Sequence, residues 1–292
     1  GGTTFTKVFS QSTNDIEDIE AFSDGSIMIG VKNNGIYQSA DGSSGSFVKL
    51  SGGLPTTGFV DLELAYCDNF QNVIYAQFSN SGSNGLLGAW KSTDSGVTWN
   101  AITNPETVSS YSFPWYACLL GVKPDDPNFI ISGCVYMQHS KDGGATWAAS
   151  KFSRADDHVI FFDPSNATSF YVGHDGGVYR YNTSTIATSL TDLNTGYTVS
   201  QFYAGAFFPS GINFSGGTQD NSTLQCNNSD SVFQRIDPYS GDGSYTQVNQ
   251  QNANVAYLSW QYGRIRKSTN AQSANPTYSD VMFQLDADAS GG

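Results

Sequence analysis

Lys91-Ser92-Thr93-Asp94-Ser95-Gly96-Val97-Thr98-Trp99 decides the fold, because it recurs. Read as Ser-x-Asp-x-Gly-x-Thr-Trp, it returns at Ser140, Asp142, Gly144, Thr146 and Trp147. A looser copy places Ser39 and Asp41 before Gly45 and Phe47, with extra residues at the turn. Decayed copies stand at Asn228 to Phe233 and at Ser268-Thr269-Asn270, and Gly2-x-Thr4-Phe5 is the back half of another. Copies spaced by about fifty residues define a structural repeat. The residue types are those of a closed turn. Ser and Asp side chains bond nearby backbone N–H groups, Gly supplies positive φ, and the aromatic starts a strand over an apolar layer. Nothing in the motif demands a nucleophile, a base or a metal.

Working outward, each copy ends a longer unit of four short strands. The units are expected at 15–50, 59–102, 112–152, 156–193, 200–236 and 242–285, within a single domain 1–292. Residues Thr3 to Phe9 read as an isolated fourth strand. Composition agrees: 31 glycines, 14% aromatic and 13% charged residues suit short strands joined by tight turns. No window carries a long helical period, and the only glutamates are Glu17, Glu20, Glu63 and Glu106. A four-stranded unit cannot bury both faces of its own sheet, so neighbours must stack. The expected fold is an all-β propeller of six four-stranded blades, alone or as part of a seven-bladed or larger assembly. The half-motif at the first residues suggests a piece of a longer secreted chain, continuous with further domains; alternatively, the leading strand closes the ring with the last repeat.

A formal net charge of −13 argues against nucleic acid and against anionic membrane surfaces. No apolar run approaches the ~20 residues of a membrane span. A secreted, extracellular or cell-surface location is expected. Among the four cysteines, Cys118 and Cys134 flank a hairpin and would face each other as a cross-strand disulfide or as two free thiols. Cys67 and Cys226 sit in distant units and are expected to be unpaired. No Cys/His cluster suggests a metal. Calcium is the one cofactor left open, at Asp125-Asp126 and Asp286 to Asp288.

The motif resembles the Asp-boxes, or BNR repeats, of sialidases, family 74 xyloglucanases, sortilin-type receptors and many secreted bacterial proteins. Asp157 to Asn166, Tyr171 to Arg180 and Gly216 to Thr223 resemble the sortilin/xyloglucanase-like branch. The resemblance spans nearly the whole chain. It implies that the box lies between third and fourth strands at the blade's outer edge, so that Ser92, Asp94, Gly96, Thr98, Trp99 and their counterparts are structural. It also places function at the opposite end, near the central channel. Asp175 resembles that family's Asp-x-Gly-Gly-x-Tyr position, although Asp175-Gly176-Gly177-Val178-Tyr179 lacks one residue. Asp220 is the equivalent position one unit later. The family sets its catalytic pair across a cleft between two propellers, and one propeller is visible here.

Two sets of residues should meet at the channel mouth. Asp61, Trp115, Asp157 with His158, and Asp242 precede innermost strands. His174 with Asp175, Gln219 with Asp220, and Gln261 with Tyr262 follow second strands. Acidic, amide and aromatic groups around a concave mouth suit a sugar or a cation site; taken singly, each is also an ordinary turn residue. The few arginines fall on third strands and loops and form no carboxylate clamp, which argues against a sialidase. The expected function is non-enzymatic binding of a protein or glycan at the channel face. The alternatives are a xyloglucanase-like hydrolase fragment using Asp175 and Asp220, and a structural spacer.

Overall fold

The structure is a computed structural model that describes residues 4–10, 15–107, 113–153, 155–196, 200–226, 233–237 and 241–282. Strands alternate with short polar turns, and the only helical pieces among the described residues are the 3-10 turns Pro105–Thr107 and Gln261–Gly263. The chain forms two compact units, 1–195 and 196–292.

The first unit holds four antiparallel sheets of four strands, each in sequential order. Blade one is β1 (Ile16–Ala21), β2 (Ile27–Val31), β3 (Gly35–Ser39) and β4 (Val48–Lys49). Blade two is β5 (Phe59–Cys67), β6 (Phe70–Asn80), β7 (Leu86–Ser92) and β8 (Asn100–Ala101). Blade three is β9 (Leu119–Lys123), β10 (Asp126–Gly133), β11 (Gln138–Ser140) and β12 (Ala148–Ala149). Blade four is β13 (Asp157–Asp163), β14 (Asn166–His174), β15 (Gly177–Asn182) and β16 (Thr191–Asp192).

The second unit holds blade five, β17 (Phe202–Phe207), β18 (Phe214–Thr218), β19 (Asn221–Cys226) and β20 (Phe233–Arg235), and blade six, β21 (Gly241–Val248), β22 (Ala256–Trp260), β23 (Arg264–Ser268) and β24 (Ser279–Met282). A short parallel pairing, Asn221 to Gly241 and Ser222 to Asp242, joins the two blades. These sequential four-stranded blades are the all-β propeller type expected from the repeat.

Alternation puts apolar side chains on both faces of the middle strands, and stacking covers them. Met28 and Ile36 of blade one pack with Leu62, Leu64, Ile74 and Phe78 of blade two. Tyr75 and Cys67 meet Leu120, Val122 and Ile130 across blades two and three. Leu119, Ile131 and Met137 meet Phe170, Val172 and Tyr181 across blades three and four. In the second unit Phe208, Ile236, Val248, Leu258 and Tyr278 form the corresponding layer. Each such fully buried side chain contributes roughly 1.5–3 kcal/mol.

The repeated turn closes as its residue types require. Ser92 Oγ accepts from Gly96 N at 2.9 Å, and Asp94 accepts from Thr98 N at 2.8 Å and from its hydroxyl at 2.6 Å. Ser140, Asp142, Gly144 and Thr146 repeat these bonds. Gly96 has φ +87° and sits so close to Met28 of blade one that a Cβ would lie 2.9 Å from its Cε. Trp99 Nε1 closes on Gly96 O within its own turn, whereas Trp147 Nε1 reaches Thr103 O of the preceding blade. In the looser copy, Gly42 N donates to Ser39 Oγ, Ser43 N to Asp41 Oδ1, Gly45 has φ +82°, and Phe47 packs on Phe9.

Some expectations are corrected. Residues 4–10 carry no strand, and Phe9 instead packs against Tyr37 and Phe47. Fourth strands are two residues long in the first four blades, because the turn occupies most of the segment. Blade three starts at Leu119, leaving Trp115 in a turn closed by Tyr116 N and Ala117 N on Phe113 O. Leu119 faces Gly133 in the ladder, which puts Cys118 and Cys134 on the next rung. They are buried thiols and not a disulfide, and Gln77 Nε2 donates to Cys118 Sγ at 3.0 Å. Cys67 and Cys226 are also buried thiols outside any disulfide.

Candidate functional site

In the first unit, the turns β2–β3, β6–β7 and β14–β15 and the lead-ins to β5, β9 and β13 lie at one end of the sheets. The repeated Ser-x-Asp turns lie at the other. The antiparallel order requires this, since every second connection shares an end.

At the first end, Lys32 and Asn33 of blade one, Val60 and Asn80 to Asn84 of blade two, and Trp115 of blade three line a cleft of 670 Å3. Asn33 takes φ +55°, a left-handed turn position that Asn tolerates. Trp115 is half exposed. It meets Phe113 edge-on with centroids 6.1 Å apart and Tyr116 at 6.1 Å. Tyr116 in turn meets the His158 ring edge-on at 5.2 Å, and His158 Nε2 lies 2.8 Å from Asp175 Oδ1. Trp115 therefore links a polar cleft to an aromatic strip that ends on a His–carboxylate pair. The only charged group lining the cleft is Lys32, held by Glu17 at 2.9 Å. The cleft offers amides, hydroxyls and one aromatic ring, and its lining carries no carboxylate.

Other expected members lie beneath this end. His174 is buried: its Nδ1 accepts from Gly176 N at 2.9 Å, which leaves the proton on Nε2 to donate to Ser153 Oγ at 2.9 Å. Its ring stacks on Tyr179. Asp157 is 3% exposed, and burial with repulsion from Asp156 pushes its carboxyl up to about 7. Asp61 is 7% exposed, accepts from Leu62 N, and is pushed up to about 6 by burial and then by Glu17.

Sequence reading missed the acidic row on the innermost strands. Burial, with Asp18 and Asp68 adding repulsion, lifts Glu20 to about 8. Burial raises Glu63 and Asp18 as well, although backbone N–H groups of Leu64 and Ile19 bond Asp18. The signal was present: three of the four glutamates sit inside apolar strand sequence, as in Ile16-Glu17-Asp18-Ile19-Glu20 and Asp61-Leu62-Glu63-Leu64. Also missed were the Asn-rich turns, which occupy the same place in their blades as His174-Asp175.

No protein-family model and no curated protein matches the chain. Solved structures do. A GH74 enzyme of Niastella koreensis aligns over 94% of this chain at a TM-score of 0.52 and 15% identity. A GH74 xyloglucanase of Xanthomonas campestris aligns over 95% at 0.47 and 13%, and YCF48 bound to D1 peptide over 96% at 0.46 and 12%. The chain spans 46% of each GH74 protein and 84% of the YCF48 chain. At these identities the likeness is one of fold.

The second unit carries its own small cleft. Tyr203, Asp242, Ser244, Ser259, Trp260 and Gln261 are among the residues lining a space of 370 Å3. Asp242 is fully engaged: Oδ1 accepts from Asp220 N at 2.9 Å and Oδ2 from Gln261 Nε2 at 3.0 Å. Asp220 stands at φ +55° in the β18–β19 turn. Gln219 N donates to Gln201 O, and Gln219 O accepts from Asn221 N at 2.7 Å. The side chain of Tyr262 lies outside the described residues, as do Asp286 to Asp288. Asp125 pairs with Lys123, and Asp126 bonds Asn128 N, so both serve their own turn.

Proposed function

We propose that this chain is a secreted or cell-surface propeller module that binds a neutral glycan at the Trp115 end of its first unit without cleaving it. The cleft carries this reading. It joins a half-exposed indole to Asn, Ser and Gly turns and contains no carboxylate. An indole face packs on the apolar face of a pyranose, while amides and hydroxyls satisfy ring hydroxyls without a net charge. Glycoside hydrolysis needs two carboxylates about 5–9.5 Å apart across the bond. At the end of the aromatic strip His158 occupies Oδ1 of Asp175, and the Asp156 carboxylate lies within 4.8 Å of Asp175, closer than that spacing.

The test is calorimetric titration with cello-, xylogluco- and manno-oligosaccharides, read beside tryptophan fluorescence. Binding to at least one class is expected, with a loss of tenfold or more in Trp115→Ala. No binding across the panel, or binding indifferent to Trp115, would sink the reading and favour a structural spacer. A second reading, a GH74-like hydrolase, draws support from the fold likeness to a GH74 enzyme. It predicts reducing-end release that is lost in Asp175→Asn and Asp220→Asn.

A further inference from the structure

A second cleft, of 580 Å3, lies between blades one and two at the opposite end, beside the repeated turns. Its floor is apolar: Phe22, Leu50 and Ile74 belong to the interblade layer, and Val48 of β4 stands 66% exposed at its side. Above the floor are side-chain amides. Gln71 uses Oε1 to accept from Ser23 N and Oγ, at 3.0 and 2.7 Å, and its amide N–H groups stay outside that bonding. Asn72 donates to Thr93 O, and Gln38 lines the facing wall.

Charge settles what fits there. Among the residues lining the cleft, Asp24 is the only charged one. Asp41 and Asp94 adjoin the lining residues Ala40 and Ser95. Hydrogen bonds hold Asp24, Asp41 and Asp94 below the ordinary carboxylate range. No lysine or arginine lines the space, and the whole chain carries −13. Apolar floor, amide walls and an anionic rim complement an extended peptide with one apolar side chain flanked by cations. A sugar would need an exposed aromatic platform, and the only ring here, Phe22, is buried and packed on Tyr66.

We propose that this cleft docks an extended basic segment of another protein, with a Leu-type side chain on Phe22, Leu50 and Ile74 and Lys or Arg toward Asp24. The proposal is independent of the glycan reading, since the two clefts lie at opposite ends of the blades.

The probe is a fluorescein-labelled peptide of alternating Lys and Leu, with a Glu/Leu peptide as its counterpart, followed by fluorescence polarisation. The Lys/Leu peptide is expected to bind and the Glu/Leu peptide to fail. The double variant Asp24→Asn with Val48→Lys should weaken binding at least tenfold. Asp15→Lys changes the net charge by the same two units at the other end of β1, and should change affinity less than twofold. Both sets alter exposed positions, and circular dichroism verifies folding. Equal loss in both would mean general attraction to an acidic protein and would overturn the proposal. So would absence of binding, or displacement of the peptide by an oligosaccharide.

Discussion

Thr146 gives both its backbone N–H and its hydroxyl to the carboxylate of Asp142, at 2.9 and 2.5 Å. The pair is a clamp on an exposed turn, and its buried counterpart is Ser140 Oγ, which accepts from Gly144 N at 2.9 Å. Ser140→Ala strands that N–H where water cannot reach it. We expect a loss of about 1–3 kcal/mol in urea unfolding, with an unchanged m-value. The equivalent Ser92→Ala should match it, because the bond is the same.

The same bonding persists where the motif has decayed. Asn270 accepts from Thr277 N and Oγ1, at 2.9 and 3.1 Å, seven residues away instead of four. The turn's acceptor chemistry therefore outlives its spacing, so the relic Ser268-Thr269-Asn270 still marks blade six beside its strand pattern. Blade number and order were legible because turn chemistry and period-two patterning are local. What the sequence hid depends on neighbours. Trp115 was expected at the mouth, but only packing brings it beside the Asn80 to Asn84 turn of blade two and brings its neighbour Tyr116 onto His158. Glu20 and Glu63 stay half-buried, and their raised carboxyls depend on the adjacent innermost strands that pack around them. The thiols of Cys118 and Cys134 share a rung, yet register alone could not decide between a bond and two free groups.

Gly217 of β18 lies so close to β21 that a Cβ there would stand 1.9 Å from Ser244 O and 2.3 Å from Ser244 N. Both neighbours are backbone and cannot rotate away. Gly217→Ala must push the strands apart, at about 3 kcal/mol. Gly211→Ala, with open space around its Cβ, bears only the strain of φ +74°. Parallel denaturation of the two variants separates steric approach from backbone conformation; an equal loss would show that the close approach is not what matters.

Arg266 is a buried cation of the second unit. Its Nη1 lies 3.1 Å from Asp237 Oδ1, its Nε 2.8 Å from Asp280 Oδ1, and its Nη2 donates to Tyr278 O. Asp237→Ala removes the partner that is 2% exposed and leaves a buried guanidinium undercompensated. We expect a loss of about 3–5 kcal/mol that changes little between low and high salt, because buried pairs escape screening. A loss that vanished in high salt would place the pair in effect at the surface.

Buried and half-buried acids set the pH dependence. Burial pushes Asp61 up to about 6, Asp157 to about 7 and Glu20 to about 8. Unfolded, these groups ionise near pH 4. Between pH 4 and 8 these acids hold more protons folded than unfolded, so stability falls as pH rises through that window; His139, which burial lowers to about 4, opposes this with a single group below about 6.5. Asp157→Asn mimics the protonated acid at every pH. It should gain little or nothing at pH 4 and become more stable than the parent at pH 8, by on the order of 1–3 kcal/mol. Thermal melts of both proteins across that range decide the matter. Parent stability rising from pH 4 to 8, or an Asp157→Asn difference that stays flat, would mean that these carboxyls reach water in the folded state.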